Sequence, residues 1–159
     1  MIALTGHTGK VGTLITDYFT NVKGFSRSNG YDIRTEQNKI LTESNDCNIF
    51  INCAHGGPGF AQTEIFWLFY NKWMNDNAKI IINIGSAAAD HSMWSKIKNG
   101  YCSEKSALSA AVEEAQCNPH KCKVSIINPY ILTEVTSIDF LQAIKFCIDS
   151  TTEIKSINL

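Results

Sequence analysis

The sequence has little excess charge, no long apolar run and no signal-like start. Its 14 basic and 15 acidic residues give a net charge of −1, which offers no support for a nucleic-acid or membrane-surface partner. No apolar run approaches the roughly 20 residues that a membrane span requires. Met1 leads directly into apolar residues 2–4, without the basic segment that opens a secretory signal. We therefore expect a cytoplasmic protein.

The sequence also lacks paired cysteines. Its six cysteines are scattered, and none forms a Cys-x-x-Cys pair. Cys117 and Cys122 flank a short segment that contains His120, but no second pair completes a metal clip. We expect no metal site and interpret the cysteines as reduced thiols, in keeping with a cytoplasmic location.

Short apolar runs alternate with helix-length segments along the whole chain. The predicted strands are residues 1–5, 22–26, 31–33, 48–53, 79–85, 123–128 and 154–159. The predicted helices are residues 11–19, 35–45, 61–76, 103–117 and 137–149. This alternation indicates a parallel sheet with helices on both faces. Because no repeat or linker divides residues 1–159, the sequence predicts a single doubly wound α/β domain of about seven strands.

The predicted helix 61–76 is apolar on every face at its centre, Ile65 to Tyr70. Such a helix must be covered on two sides. The sheet can cover one side, and a second subunit is the simplest cover for the other. We therefore expect a homodimer or homotetramer that assembles through helices 61–76 and 103–117.

A glycine-rich turn, Thr5-Gly6-His7-Thr8-Gly9-Lys10-Val11-Gly12, joins the first predicted strand to the first predicted helix. Glycine lets such a turn bend sharply and lets a pyrophosphate approach the backbone at the positive end of the helix. A plain strand-to-helix turn is the alternative. The position after the first strand favours dinucleotide binding, because ligands of doubly wound sheets bind at the carboxyl ends of the strands.

The end of the second predicted strand, Phe25-Ser26-Arg27-Ser28, bears on which dinucleotide binds. An acidic residue about 20 residues beyond the glycines would accept the ribose 2′-hydroxyl of NAD. Arg27 instead offers a guanidinium that can pair with a 2′-phosphate. The sequence therefore favours NADP over NAD, with an ordinary exposed arginine as the alternative.

Tyr101 and Lys105 are four residues apart, so in a helix both side chains lie on the same face. A nearby cation stabilises a phenolate and lowers the phenol pKa from its usual value of ~10. Tyr101 could then act as a general acid or base. The same spacing also occurs in solvated surface pairs, so the surrounding residues must decide between these readings.

Six short motifs, in chain order, resemble those of the short-chain dehydrogenase/reductase family, and the resemblance covers nearly the whole chain. They are the glycine turn 5–12, Asp32-Ile33, Asn52-Cys53-Ala54-His55, Asn83-Ile84-Gly85-Ser86, the segment YCSEKSAL at 101–108, and Asn128-Pro129-Tyr130-Ile131-Leu132-Thr133. The chain would be an unusually short member. The resemblance implies a Rossmann-type domain and an NADP-dependent oxidoreductase that transfers a hydride between nicotinamide and a small carbonyl or alcohol.

The resemblance also implies residue roles. Tyr101 would exchange a proton with the substrate oxygen, Lys105 would lower the pKa of Tyr101 and hold the nicotinamide ribose, and Ser86 would hydrogen-bond the reacting oxygen. The implied cofactor-binding residues are Gly6, Thr8, Gly9, Lys10, Val11, Gly12, Arg27, Ser28, Asp32, Ile33, Asn52, Cys53, Ala54, Tyr101, Lys105, Pro129, Ile131 and Thr133. For the family's catalytic asparagine, Gln62 stands nearest the expected place.

Little sequence remains between Thr133 and the helix predicted from 137 to fold over a substrate. Substrate contacts are therefore expected from His55, Met93, Trp94 and Tyr130. Two alternatives stay open. The glycine spacing slightly favours a nucleotide-sugar epimerase or dehydratase, which the absence of a C-terminal substrate domain opposes. The missing lid favours a non-catalytic NADP(H)-binding module, which the presence of Ser86 together with Tyr101 and Lys105 opposes.

Overall fold

The computed structural model describes residues 1–57, 59–90, 100–130 and 132–159. Within these ranges a single sheet forms from β1 (Ile2–Thr5), β2 (Val22–Phe25), β3 (Ile49–Asn52), β4 (Ile80–Ile84), β5 (Lys123–Asn128) and β6 (Ser156–Asn158). The α-helices are α1 (Lys10–Tyr18), α2 (Gln37–Glu43), α3 (Ala61–Trp73), α4 (Gly100–Cys117) and α5 (Glu134–Asp149). None of these helices is long and apolar enough to cross a membrane.

The sheet is parallel, with strand order β2-β1-β3-β4-β5-β6. Its connectivity reverses beside β1, because β2 pairs with one edge of β1 and β3 with the other. Ligands of doubly wound sheets bind at the carboxyl ends of the strands at such a reversal. The glycine turn after β1 and the loop after β3 both begin at this point.

Helices cover both faces of the sheet, as predicted, and each face has its own apolar core. On one face, α1 and α5 pack over strand residues that include Leu4 and Ile82. On the other face, α2, α3 and α4 pack over residues that include Phe50 and Ile81. Neighbouring strand residues such as Ile81 and Ile82 belong to opposite cores because successive side chains of a strand point to opposite faces. The predicted doubly wound α/β fold is confirmed.

The prediction of a short strand at 31–33 is wrong. After β2 the chain turns sharply, with Gly30 in a left-handed conformation at φ 87°. Tyr31 then packs edge-on against Phe25, with ring centres 5.0 Å apart, and its hydroxyl donates a 2.6 Å hydrogen bond to Glu43. These contacts tie the segment to the surface of the core instead of the edge of β2, so the described sheet has six strands.

Most of the apolar surface of α3 is covered within the single chain. Ile65, Phe66, Phe69 and Tyr70 are buried, because α2 and α4 flank α3 above the sheet. Trp67 and Leu68 are only half-buried. The part of α3 that a second subunit would need to cover is therefore small.

Two helices begin earlier than predicted. Helix α4 starts at Gly100 instead of 103, which places Tyr101 in its first turn. Helix α5 starts at Glu134 instead of 137, and Thr133 caps it by accepting a 3.3 Å hydrogen bond from the N–H of Thr136. Because threonine is favoured at this capping position, Thr133 has a structural role at the start of α5.

Candidate functional site

A cavity of about 510 Å³ opens at the carboxyl ends of β1, β2 and β3. It brings together most of the residues that the sequence analysis assigned to the cofactor. The predicted residues that line it are Gly6, Thr8, Gly9, Lys10, Val11, Gly12, Arg27, Ser28, Asp32, Ile33, Cys53 and Ala54. Ser26, Tyr31, His55 and Gly56 line it as well.

The glycine turn is shaped by close backbone contacts. A Cβ added at Gly6, where φ is +72°, would lie 2.9 Å from Cα of Ala54, and one added at Gly12 would lie 2.1 Å from the carbonyl oxygen of Gly6. Gly9 precedes α1 and has no side chain with which to cap the first N–H groups of the helix. Those groups and the positive end of the helix dipole suit a phosphate, so the residues of this turn fit a dinucleotide.

The far end of the cavity combines an exposed cation with an acid that is already paired. Arg27 is exposed at the cavity rim. Asp32 pairs with Arg34, whose Nη2 lies 2.6 Å from Oδ2, and the hydrogen bonds from Arg34 lower the pKa of Asp32 to about 2. Ser28 lies 3.5 Å from the hydroxyl of Thr8, which links the loop after β2 to the glycine turn.

Tyr101 and Lys105 lie on the same face of α4, as the four-residue spacing implies. Nζ of Lys105 lies 5.6 Å from the centre of the Tyr101 ring. The lysine is 3% exposed, and its ammonium donates 2.8 Å hydrogen bonds to Oε1 of Gln62 and to the carbonyl oxygen of Ile84. Burial lowers the pKa of Lys105 to about 8, because a buried ammonium loses its hydration.

Gln62 connects Lys105 to a buried network between β3 and β4. Nε2 of Gln62 donates to the carbonyl oxygens of Asn52, at 2.9 Å, and Ile84, at 3.1 Å. Nδ2 of Asn52 in turn donates to Oδ1 of Asn83 at 2.9 Å. Asn52 is fully buried and is not among the residues that line the cavity.

Ser86 follows β4, and its Oγ accepts a 3.1 Å hydrogen bond from the N–H of Ala88. It lines a second cavity of about 650 Å³ together with Tyr130. The carbonyl oxygen of Pro129 accepts a 3.1 Å hydrogen bond from the N–H of Ala87, so the loops after β4 and β5 are joined there. Predicted site residues Met93, Trp94 and Ile131 lie outside the described residues.

The sequence analysis missed Glu104, which links α4 to the loop after β3. Oε2 of Glu104 lies 2.7 Å from Nε2 of His55, and the ring of His55 meets the ring of Tyr101 edge-on, with centres 5.0 Å apart. Glu104 stands inside the segment YCSEK, but nothing in that segment indicates a partner from another part of the chain. His55 thus connects the cavity wall to Tyr101.

In the ranges that the structure covers, no three His, Cys, Asp or Glu side chains are grouped to hold a metal ion. All six cysteines are free, with Cys117 exposed and Cys122 buried. Cys53, on the cavity wall, is half-buried, and burial raises the pKa of its thiol to about 11. The thiol is therefore neutral near pH 7.

No family model and no curated protein matches the sequence, whereas solved structures match over its full length. A 3-ketoacyl-(acyl-carrier-protein) reductase from Brucella melitensis, complexed with NADH, has a TM-score of 0.76 at 13% identity, covering 99% of this chain and 95% of that one. A short-chain dehydrogenase/reductase from Vibrio parahaemolyticus has a TM-score of 0.66 at 14% identity, covering 100% and 98%. The chain has the short-chain dehydrogenase fold.

A third solved structure has the same fold. The closed form of serine dehydrogenase, complexed with NADP+, has a TM-score of 0.70 at 16% identity and covers 100% of this chain and 94% of that one. The resemblance inferred from the six sequence motifs is thereby confirmed at the level of the fold, for a chain of 159 residues.

Proposed function

We propose that this protein is an NADP-dependent oxidoreductase that transfers a hydride between nicotinamide and a small carbonyl or alcohol substrate. One observation carries the proposal: the glycine-lined cavity at the reversal of the sheet lies beside a helix that presents Tyr101 and a buried Lys105 on one face. Solved structures of the same fold in complex with NADH or NADP+ support it.

The cofactor would lie along the first cavity. The N–H groups at the start of α1 would bind the pyrophosphate, and Asp32 and Ile33 would adjoin the adenine. Arg27 and Ser28 would bind the 2′-phosphate, because a guanidinium pairs with phosphate through two parallel hydrogen bonds. The bound nicotinamide supplies or accepts the hydride.

Tyr101 would give a proton to the substrate oxygen during reduction or remove one during oxidation. The ammonium of Lys105, 5.6 Å from the Tyr101 ring centre, would stabilise the phenolate and hold the nicotinamide ribose. Ser86 would donate a hydrogen bond to the reacting oxygen. His55 and Tyr130, on the walls of the two cavities, would contact the substrate, with Met93 and Trp94 as predicted further contacts.

Assembly and location are part of the same proposal. A homodimer through α3 and α4 would cover the half-buried Trp67 and Leu68 on the outer side of α3. A reducing cytoplasmic location fits six free cysteines, four of which are buried. Light scattering at micromolar concentration tests the assembly, and a monomer would refute it.

The test of function begins with fluorescence titration by NADPH and NADH. A screen of NADPH oxidation over aldehydes, ketones and quinones then follows, with Tyr101→Phe as the matched control. We expect at least one carbonyl compound to be reduced by the wild type and reduced at least about 100-fold more slowly by the variant, since positioned general acids contribute about 10²–10⁴-fold. Turnover of no compound, or equal turnover by both proteins, would refute the proposal. NADPH binding without turnover would favour a non-catalytic binding module.

A further inference from the structure

A single carboxylate holds the loop after β3 against helix α4. Oε2 of Glu104 lies 2.7 Å from Nε2 of His55, and Oε1 accepts a 3.2 Å hydrogen bond from the N–H of Gly59. The side chain of Glu104 is 10% exposed, and its hydrogen bond with Gly59 lies at the surface. Hydrogen bonds to an ionised group are stronger than those between neutral groups, and both oxygens of Glu104 are used to hold this loop.

The two described glycines beside this carboxylate make no packing contacts at the Cβ position. Gly57 and Gly59 have φ values of 82° and 118°, and nothing lies within 4 Å of a Cβ built at either position. Glycine in these conformations gains little packing of its own and loses much conformational freedom on ordering. The contacts of Glu104 therefore hold the loop beside two glycines that have no packing of their own.

The same loop forms a wall of the cavity at the glycine turn and contacts the candidate proton donor. His55 and Gly56 line the cavity. The His55 ring meets the Tyr101 ring with centres 5.0 Å apart and planes at 66°, a favourable edge-to-face arrangement. Glu104 thus reaches Tyr101 through His55 as well as through the backbone of α4.

Among the described residues, the charged groups around His55 come from two elements. From α4 these are Glu104 and, on the Tyr101 ring, Lys105. From the turn before α2, the side chain of Arg34 approaches Gly56, and Arg34 is itself paired with Asp32. Glu104 is the acidic partner that bonds the imidazole directly. When Nε2–H donates to Glu104, the tautomer and ring orientation of His55 are fixed.

We propose that Glu104 is a positioning residue for the Tyr101–Lys105 centre, acting through His55 and the loop that ends at Gly59. Glu104 holds the imidazole edge-on to Tyr101. It also fixes the position of the cavity wall relative to α4, the helix that carries Tyr101 and Lys105. We call the contacts of Glu104 with His55 and Gly59 the clamp. The consequence for cofactor binding rests on the proposed function, whereas the clamp does not.

The clamp is tested first in the protein without cofactor, by NMR. In Glu104→Gln and Glu104→Ala we expect the amide of Gly59 to exchange with solvent several-fold to about tenfold faster, because it loses a charge-assisted hydrogen bond. The ring signals of His55 and Tyr101 should shift in the same variants. Glu114→Gln, an exposed glutamate on the same helix, is the matched control and should change neither. The glutamine variant preserves the test if the alanine variant does not fold.

The second measurement is the Kd for NADPH. We expect weaker binding by several-fold to about tenfold in Glu104→Ala and no change in Glu114→Gln. Because Glu104 acts through His55, Glu104→Gln should weaken binding less in the His55→Gln background than in the wild type. A structural role that does not pass through His55 would give additive losses.

These measurements separate the two proposals. Unchanged exchange at Gly59 and unchanged ring signals in both Glu104 variants would overturn the positioning role, whether or not NADPH binds. Faster exchange with an unchanged Kd, or additive losses in the double variant, would also overturn it. If the wild type binds no NADPH, the proposed function fails, and the exchange and ring signals alone decide the clamp.

Discussion

The buried ammonium of Lys105 donates a 2.8 Å hydrogen bond to Oε1 of Gln62. The amide of Gln62 is held in turn by the carbonyl oxygens of Asn52 and Ile84. An amide is neutral, so this arrangement orients the lysine without supplying the negative charge that would offset its burial. The buried site beside Gln62 therefore accounts both for the position of Lys105 and for its lowered pKa.

Replacing Gln62 with leucine should destabilise the protein by about 1–3 kcal/mol, because the buried ammonium then loses one of its acceptors and two carbonyl oxygens lose a donor. The proposed Tyr101-dependent turnover should fall as well. Urea unfolding measures the first effect. Gln142→Leu, on an exposed position of α5, is the matched control, and an equal loss of stability in both variants would contradict the role of the network.

The lowered pKa of Lys105 predicts how the free energy of unfolding changes at alkaline pH. The folded-state pKa is about 8, below the usual lysine value of about 10.4. Between these values the unfolded chain binds more protons than the folded chain, so the free energy of unfolding rises with pH. Relative to Lys105→Met, the wild type should gain up to about 3 kcal/mol over this interval.

Urea unfolding at pH 7, 8, 9 and 10 checks this prediction. Lys72→Met, at an exposed position of α3, should remain parallel to the wild type over the same range. Parallel curves for Lys105→Met and the wild type would show that the folded state binds this proton as tightly as the unfolded state does.

Local sequence patterns sufficed for most of the fold. The run Ile80 to Ile84 predicts a strand covered on both faces, and the glycines at 6, 9 and 12 predict the turn between β1 and α1. Both are properties of a few consecutive residues. The prediction of a strand at 31–33 failed because an apolar Tyr31 is compatible both with a strand and with a turn packed against Phe25. The hydrogen bond from Tyr31 to Glu43 favours the turn, and it joins parts of the chain that a local pattern does not compare.

The contacts within the site were harder to predict, because they join distant parts of the chain. Nothing in the helical pattern around Glu104 indicates that it pairs with His55. Likewise, nothing in the pattern around Gln62 indicates that it accepts a hydrogen bond from Lys105. The motif that contains Glu104 predicts the face shared by Tyr101 and Lys105, but the pairing with His55 depends on how the loop after β3 is folded. Side-chain pairing across elements is a property of the packed structure.

Arg27 supports a prediction on cofactor choice. Arg27→Ala should weaken NADPH binding by about 10- to 100-fold, the range expected for a charge-assisted hydrogen bond, and leave NADH binding nearly unchanged because NADH lacks the 2′-phosphate. Fluorescence titration with both dinucleotides measures the two Kd values, and NADH serves as the control within each variant. Equal affinity of the wild type for NADPH and NADH, or equal losses in the variant, would remove the role of Arg27.

The pair formed by His120 and Glu153 predicts that the protein is stabilised at acidic pH and loses this stabilisation as the pH rises. Nε2 of His120 lies 2.8 Å from Oε1 of Glu153. Burial opposes the charged imidazole, but the hydrogen bonds with Glu153 and the carbonyl oxygen of Asn118 outweigh it and raise the pKa of His120. The stabilisation is therefore complete below the unfolded value of about 6.5 and is lost as the pH rises through the folded value.

Glu153→Gln should consequently cost about 1 kcal/mol at pH 5.5 and clearly less at pH 8.5. The amide can still accept the 2.9 Å hydrogen bond that Oε1 of Glu153 receives from the N–H of Val124, so this variant isolates the charge. Asp149→Asn breaks the exposed pair with Lys145, which contains no histidine, and should show no such pH dependence. Thermal or urea unfolding at the two pH values measures both variants, and a cost for Glu153→Gln that is the same at both would mean that His120 gains no protonation on folding.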